Sequence, residues 1–223
     1  MAAKSTQIPL KEKILQAYMD YILSNGTNPP SVYVFSKSIS IKESEFYQEF
    51  SSFESLDGEI WNSEFEETLV SVKSQEVYDG YSAREKTLSL YFAFIAKLLQ
   101  NRSFAVYSYR KSLNGLRTPA VFHKLKMKFD EFSDEVILEG LDTGEIIDRR
   151  FITDRYKDGL WVQFKFVVDF WVKDKSNGFE KTDEAIEKGV NLTFDLFARS
   201  PLDSLLDYGK FLSRNANFQF SSK

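Results

Sequence analysis

The chain has 223 residues, a formal net charge of −4, 43% hydrophobic residues, 21 Phe and 11 Tyr, but no Cys and a single His, His123. Without cysteine there are no disulfides, thiol nucleophiles or zinc ribbons, and a single histidine argues against a histidine-based metal site or triad. The start, MAAKSTQIPLKEK, has no apolar signal core and no apolar run is long enough to cross a bilayer, so a cytoplasmic location is expected.

Residues 1–9 read as a loose arm. Lys11 to Ser24 repeats apolar residues at the helical period, with Ile14, Leu15, Tyr18, Tyr21 and Ile22, and Asn25-Gly26 ends it. Pro29-Pro30 and Ser31 open a short helix carrying Val32 and Phe35. Ser40-Ile41-Lys42-Glu43 has the pattern of a capping box, and Phe46, Tyr47 and Phe50 then fall on one side of a second short helix. Ser51-Ser52-Phe53-Glu54 repeats the box and starts a longer helix through Ile60, Trp61, Phe65 and Leu69 to about Gln75. Two short helices around a tight turn, each too small to bury its own face, form a helix-turn-helix.

Asp79-Gly80 interrupts the pattern, and Ser82 to Glu85 opens a strongly apolar helix to about Gln100. Ser103–Leu113 and Pro119–Leu138 are the next two helices, and Leu141–Phe151 reads as an acidic connection. Asp154–Lys173 is apolar around most of its circumference; a strand over Trp161–Trp171 is possible, but the helical context favours a helix buried on more than one side. Phe179–Arg199 has the stripe Ile186, Val190, Phe194 and Phe197. Ser200-Pro201 starts a last amphipathic helix, Pro201–Leu212, with serine as cap and proline in the first turn. The fold class predicted is all-α.

The run from Val32 to Leu56 resembles the amino-terminal domain of the TetR/AcrR transcriptional regulators. The correspondence rests on Val32 and Phe35, the turn at Ser40-Ile41-Lys42, Phe46-Tyr47-Gln48-Glu49-Phe50, and Ser52-Phe53-Glu54-Ser55-Leu56. Four positions depart from that pattern: the turn glycine is Ser40, the lysine of the following helix is Phe53, and the small residues early in the second helix are Ser44 and Glu45. The resemblance implies a helix-turn-helix domain at 1–56 and a helical effector-binding and dimerisation domain at 57–215. It also implies a homodimer that binds double-stranded DNA and responds to a small apolar ligand.

Phosphate binding needs lysine, arginine or exposed amides. Residues 1–60 hold five lysines, no arginine and eight acids. The expected DNA contacts are Lys4, Tyr33, Lys37, Lys42, Ser44 and Tyr47. Tyr91, Phe92, Phe94, Phe129, Phe164 and Phe166 are expected to line a ligand pocket, and an isologous interface is expected at Trp161, Phe170, Trp171, Ile186, Val190 and Phe194. No nucleophile–base pair, phosphate loop or metal cluster is legible, so no catalytic residue, metal or cofactor is expected and the chain is not read as an enzyme. The alternative is a non-DNA-binding protein of the same fold that carries lipid, similar to an isoprenoid-binding accessory protein of coenzyme Q biosynthesis.

Overall fold

The computed structural model describes residues 9–113, 118–149, 152–198 and 208–214. Among them there is no strand. The helices are α1 (Leu10–Asn25), α2 (Val32–Ser38), α3 (Glu43–Glu49), α4 (Phe53–Lys73), α5 (Ala83–Gln100), α6 (Arg102–Ser112), α7 (His123–Thr143), α8 (Tyr156–Lys173) and α9 (Glu180–Phe197). Residues 208–214 are also helical and exposed, whereas the predicted start of that helix at Ser200-Pro201 lies outside the described residues. Among the described residues no helix is long and apolar enough to cross a membrane. The Cα positions group into two compact units, Met1–Tyr78 with Leu90–Asp130, and Asp79–Ser89 with Glu131–Lys223.

In the first unit, α1 buries Ile14, Tyr18 and Ile22, one residue per turn, and stops where Gly26 takes φ 66° and returns its amide to Ile22. These side chains meet Phe35, Phe46, Phe50, Leu56, Ile60 and Phe104 in one apolar cluster. Each such buried side chain contributes roughly 1.5–3 kcal/mol. Further along α4, Trp61 sits edge-on to Phe122 with centroids 4.8 Å apart, and its indole N–H donates to the Ser108 hydroxyl at 3.0 Å. Phe65 packs against Phe94 and Phe129.

A polar network lies within this unit. Asp57 is buried, and its Oδ2 accepts from Lys111 Nζ at 2.9 Å. Asn28 Oδ1 accepts from Lys111 Nζ at 3.0 Å, from the Tyr18 hydroxyl at 3.2 Å and from the Tyr107 hydroxyl at 3.3 Å. Burial pushes the Asp57 carboxyl above its ordinary range, against Lys111 and the Tyr18 and Ser108 hydroxyls, which favour ionisation. Burial, followed by the charge of Asp57, raises Tyr18.

In the second unit, α8 and α9 form a packed pair. Asp174 fixes the turn between them: its carboxylate accepts from the Ser176 amide and hydroxyl and from the Thr182 amide and hydroxyl, at 2.7–3.0 Å. Burial alone would raise this carboxyl, but those four donors hold it down to about 2. At the far end of α9, the Arg149 guanidinium donates to the carbonyls of Leu196, Phe197 and Ala198, which have no intrahelical partner. The connection read at 141–151 is helical at its start, and residues 150 and 151 lie outside the described residues. Helix α7 runs on to Thr143, and Ile146 folds back beside Gly140, where a Cβ would stand 2.6 Å from Ile146. Glu145 then accepts from the Ala83 and Arg84 amides at the start of α5.

Candidate nucleic-acid interface

Helix α2 starts on the Ser31 hydroxyl, which accepts from the Val34 amide at 3.2 Å. Its inner side is Phe35 and Ser36, leaving Tyr33 and Val34 outward, 58% and 45% exposed. The turn is closed by the Ile41 amide donating to Ser36 at 3.0 Å, with Ser40 at φ 55°. That is the position where the resemblance places glycine, and a serine there holds a left-handed conformation that L-residues disfavour.

The expected cap at Ser40 is corrected by this geometry. Ser40 is in the turn, Lys42 precedes the first helical residue, and Glu45, not Glu43, reaches back to accept from the Lys42 amide at 2.7 Å. An N-cap needs extended backbone, which Lys42 has and Ser40 lacks. The α4 cap is also one residue displaced: Ser52 and Ser55 exchange reciprocal bonds of 3.1 Å. The box at Ser82–Glu85 forms as read, with the Ser82 amide donating to Glu85 at 2.8 Å.

Helix α3 is held by its rings. Phe46 touches Phe35, Phe50 and Phe53 at centroid distances of 5.7–6.1 Å. Phe53 also stacks on Tyr18 at 5.4 Å. The departure from lysine at this position is thereby explained: Phe53 is a packing residue, and no cation stands there for a phosphate.

Tyr33, Lys37, Lys42, Ser44 and Tyr47 are all exposed on α2, α3 and the turn between them. Lys4 lies outside the described residues. Neither Lys37 nor Lys42 is in an ion pair among the described residues. By contrast, Lys11 and Lys124 both engage Glu59, the second at 2.6 Å. Glu43, Gln48 and Glu49 are exposed on α3 as well, so this surface carries acids beside its lysines.

The aromatic residues expected to line a pocket are distributed differently. Tyr91, Phe94 and Phe129 are buried among the rings of the first unit. Phe164 is buried in the second unit, stacked on Trp161 at 5.6 Å. Phe92 and Phe166 face outward, and Phe166 with Phe170 lines an open cleft of about 470 Å³ rimmed by Lys173, Lys175 and Lys181. Of the residues expected to pair two chains, Trp161, Trp171, Ile186, Val190 and Phe194 are buried within the single chain, and Phe170 is half-buried. The apolar residues that α8 and α9 turn outward are Val162, Phe166, Leu192 and Leu196, while Gly189 lies against the Gln163 side chain of α8.

A family profile for the tetracyclin repressor-like C-terminal domain matches residues 86–212, more than half of the chain. No curated protein matches the chain. Among solved structures, a TetR transcriptional regulator from Nitrosomonas europaea is similar with a TM-score of 0.60 at 12% identity, covering 83% of this chain and 98% of its own. A protein with unknown function from Rhodococcus sp. RHA1 is similar with a TM-score of 0.58 at 13% identity, covering 89% of this chain and all of its own.

Proposed function

The chain belongs to the TetR family, and from that premise we propose that it is a dimeric, cytoplasmic transcriptional regulator that binds duplex DNA through α2 and α3. The observation that carries the reading is the α2–turn–α3 surface. Lys37, Lys42, Tyr33 and Tyr47 are presented together, on two helices locked in place by Phe35, Phe46 and Phe53. Lysine charges and tyrosine hydroxyls suit phosphate contacts, and a second helix so supported suits the major groove. The division at residue 56 between a reading head and a pairing and effector-binding body is part of the proposal.

Pairing is assigned to the outward side of α8 and α9. Val162, Leu192 and Leu196 expose apolar surface there. An isologous contact of this face with its twin would present two heads to half-sites about one helical turn apart. A small apolar effector bound in the body would alter their separation.

A mobility shift with the upstream region of the protein's own gene, at low salt, tests the reading. A retarded complex is expected. Two phosphate-binding lysines per protomer imply about four contacts and a log K against log salt slope of about −3.6. A folded dimer that retards no duplex would overturn it.

A further inference from the structure

We infer that the cleft at the turn end of α8 and α9 is a binding site for an aromatic carboxylate; this rests on the effector reading above and gives that effector a place and a chemical class. Helix α8 supplies an aromatic floor. Phe166 and Phe170 lie one turn apart, with ring centroids 5.9 Å apart and planes inclined by 45°, and Phe166 is 53% exposed. Ring surface left open in this way suits a further ring, offset or edge-on. The volume of about 470 Å³ falls within the roughly 300–1,000 Å³ of small-molecule sites. By contrast, Tyr91, Phe94 and Phe129 are packed against one another and against Phe65.

The rim decides the charge of the ligand. Lys173, Lys175 and Lys181 stand around the opening, and the acids among the lining residues are Asp169 and Asp174. Both acids are engaged: Asp169 accepts from Lys173 at 2.6 Å, and Asp174 accepts from the Ser176 and Thr182 hydroxyls at 2.7 Å. Lys175 and Lys181 are exposed and in no ion pair among the described residues. The acids in the first turn of α9 do not neutralise them. Glu180 and Asp183 are offset from Lys181 by about 100° and 200° around the helix. Glu184 pairs with Lys188 and receives only a minor pull from Lys181. Two ammonium groups at the mouth of an aromatic cleft match a ring that carries an acid and disfavour one that carries an amine. Val162, Leu192 and Leu196, to which pairing is assigned, lie toward the other end of the hairpin. The ligand would therefore sit at the border of the pairing face, where it can act on the separation of the heads.

Isothermal titration of the full-length protein with naphthoate, and with naphthylmethanol as the uncharged control, tests this. Naphthoate should bind more tightly than the alcohol. Lys175→Ala and Lys181→Ala together should weaken naphthoate roughly 5- to 30-fold and leave the alcohol unchanged. Phe166→Ala should weaken both ligands, roughly 2- to 10-fold. All three side chains are exposed, so the variants should fold, which circular dichroism checks. Failure of naphthoate to bind, or binding that the lysine substitutions leave intact, would overturn the site. The titration needs no DNA: naphthoate binding by a protein that retards no duplex would refute the regulator and leave the site standing.

Discussion

Replacing Lys111 by methionine removes the cation that compensates a buried carboxylate while keeping the apolar stem. Asp57 is 1% exposed at its side chain and Lys111 is 34% exposed, so the pair is buried from the acid's side only. Breaking a fully buried pair by deleting one partner costs about 3–5 kcal/mol. Solvent reaching the vacated end of the lysine lowers this to about 2–3 kcal/mol, or roughly 5–10 °C in Tm for a chain of this length. The loss should depend on pH in one direction. Unfolded, Asp57 titrates near 3.8; folded, burial raises it, so between the two values the native state binds more protons and stability falls as pH rises. Without Lys111 the folded value climbs further. The deficit of Lys111→Met is then largest above the raised folded value and shrinks as the pH falls through it. Urea melts across a pH series read this, and Asp57→Asn in the Lys111→Met background should restore most of the loss. A deficit below about 0.5 kcal/mol at neutral pH would refute the view that the carboxylate depends on this lysine.

Asp174→Ala should cost about 1–2 kcal/mol by removing the acceptor at the start of α9. Because the folded carboxyl sits at about 2, below its unfolded 3.8, the contribution is present above pH 3.8 and lost as the pH falls through 2; thermal melts at pH 7 and pH 2.5 should show the variant's deficit narrowing. Leu192→Glu should leave the monomer folded, since Leu192 is 61% exposed, yet raise the dimer dissociation constant by roughly tenfold or more in sedimentation equilibrium. Lys42→Ala and Lys37→Ala should each weaken duplex binding across sequences and flatten the salt slope by about 1.8 per dimer, measured by titration between low and moderate salt.

The all-helical fold was legible because the 3.6-residue repeat is explicit: Ile14, Tyr18 and Ile22 on α1, and Ile186, Val190 and Phe194 on α9, are buried at the spacing read from sequence. Caps were less legible. A serine followed three residues later by an acid occurs at Ser40, but the turn needs that residue in the left-handed region, and the cap moves to Lys42 and Glu45. Periodicity also says which side of a helix is apolar without saying what covers it. The stripe on α9 faces α8 of the same chain, and only the structure separates it from the outward Leu192 and Leu196. Aromatic content had the same ambiguity: Tyr91, Phe94 and Phe129 could enclose a space or fill it, and their rings lie against one another and against Phe65.

All three tryptophans are sequestered from solvent, Trp61 in the first unit and Trp161 and Trp171 in the second. The protein consequently holds its own optical reporters, whose emission should lie well to the blue and move red on denaturation. Substituting phenylalanine at 161 and 171 would leave Trp61 as a single fluorophore, donating its N–H to Ser108, with which to follow the first unit's unfolding apart from the second.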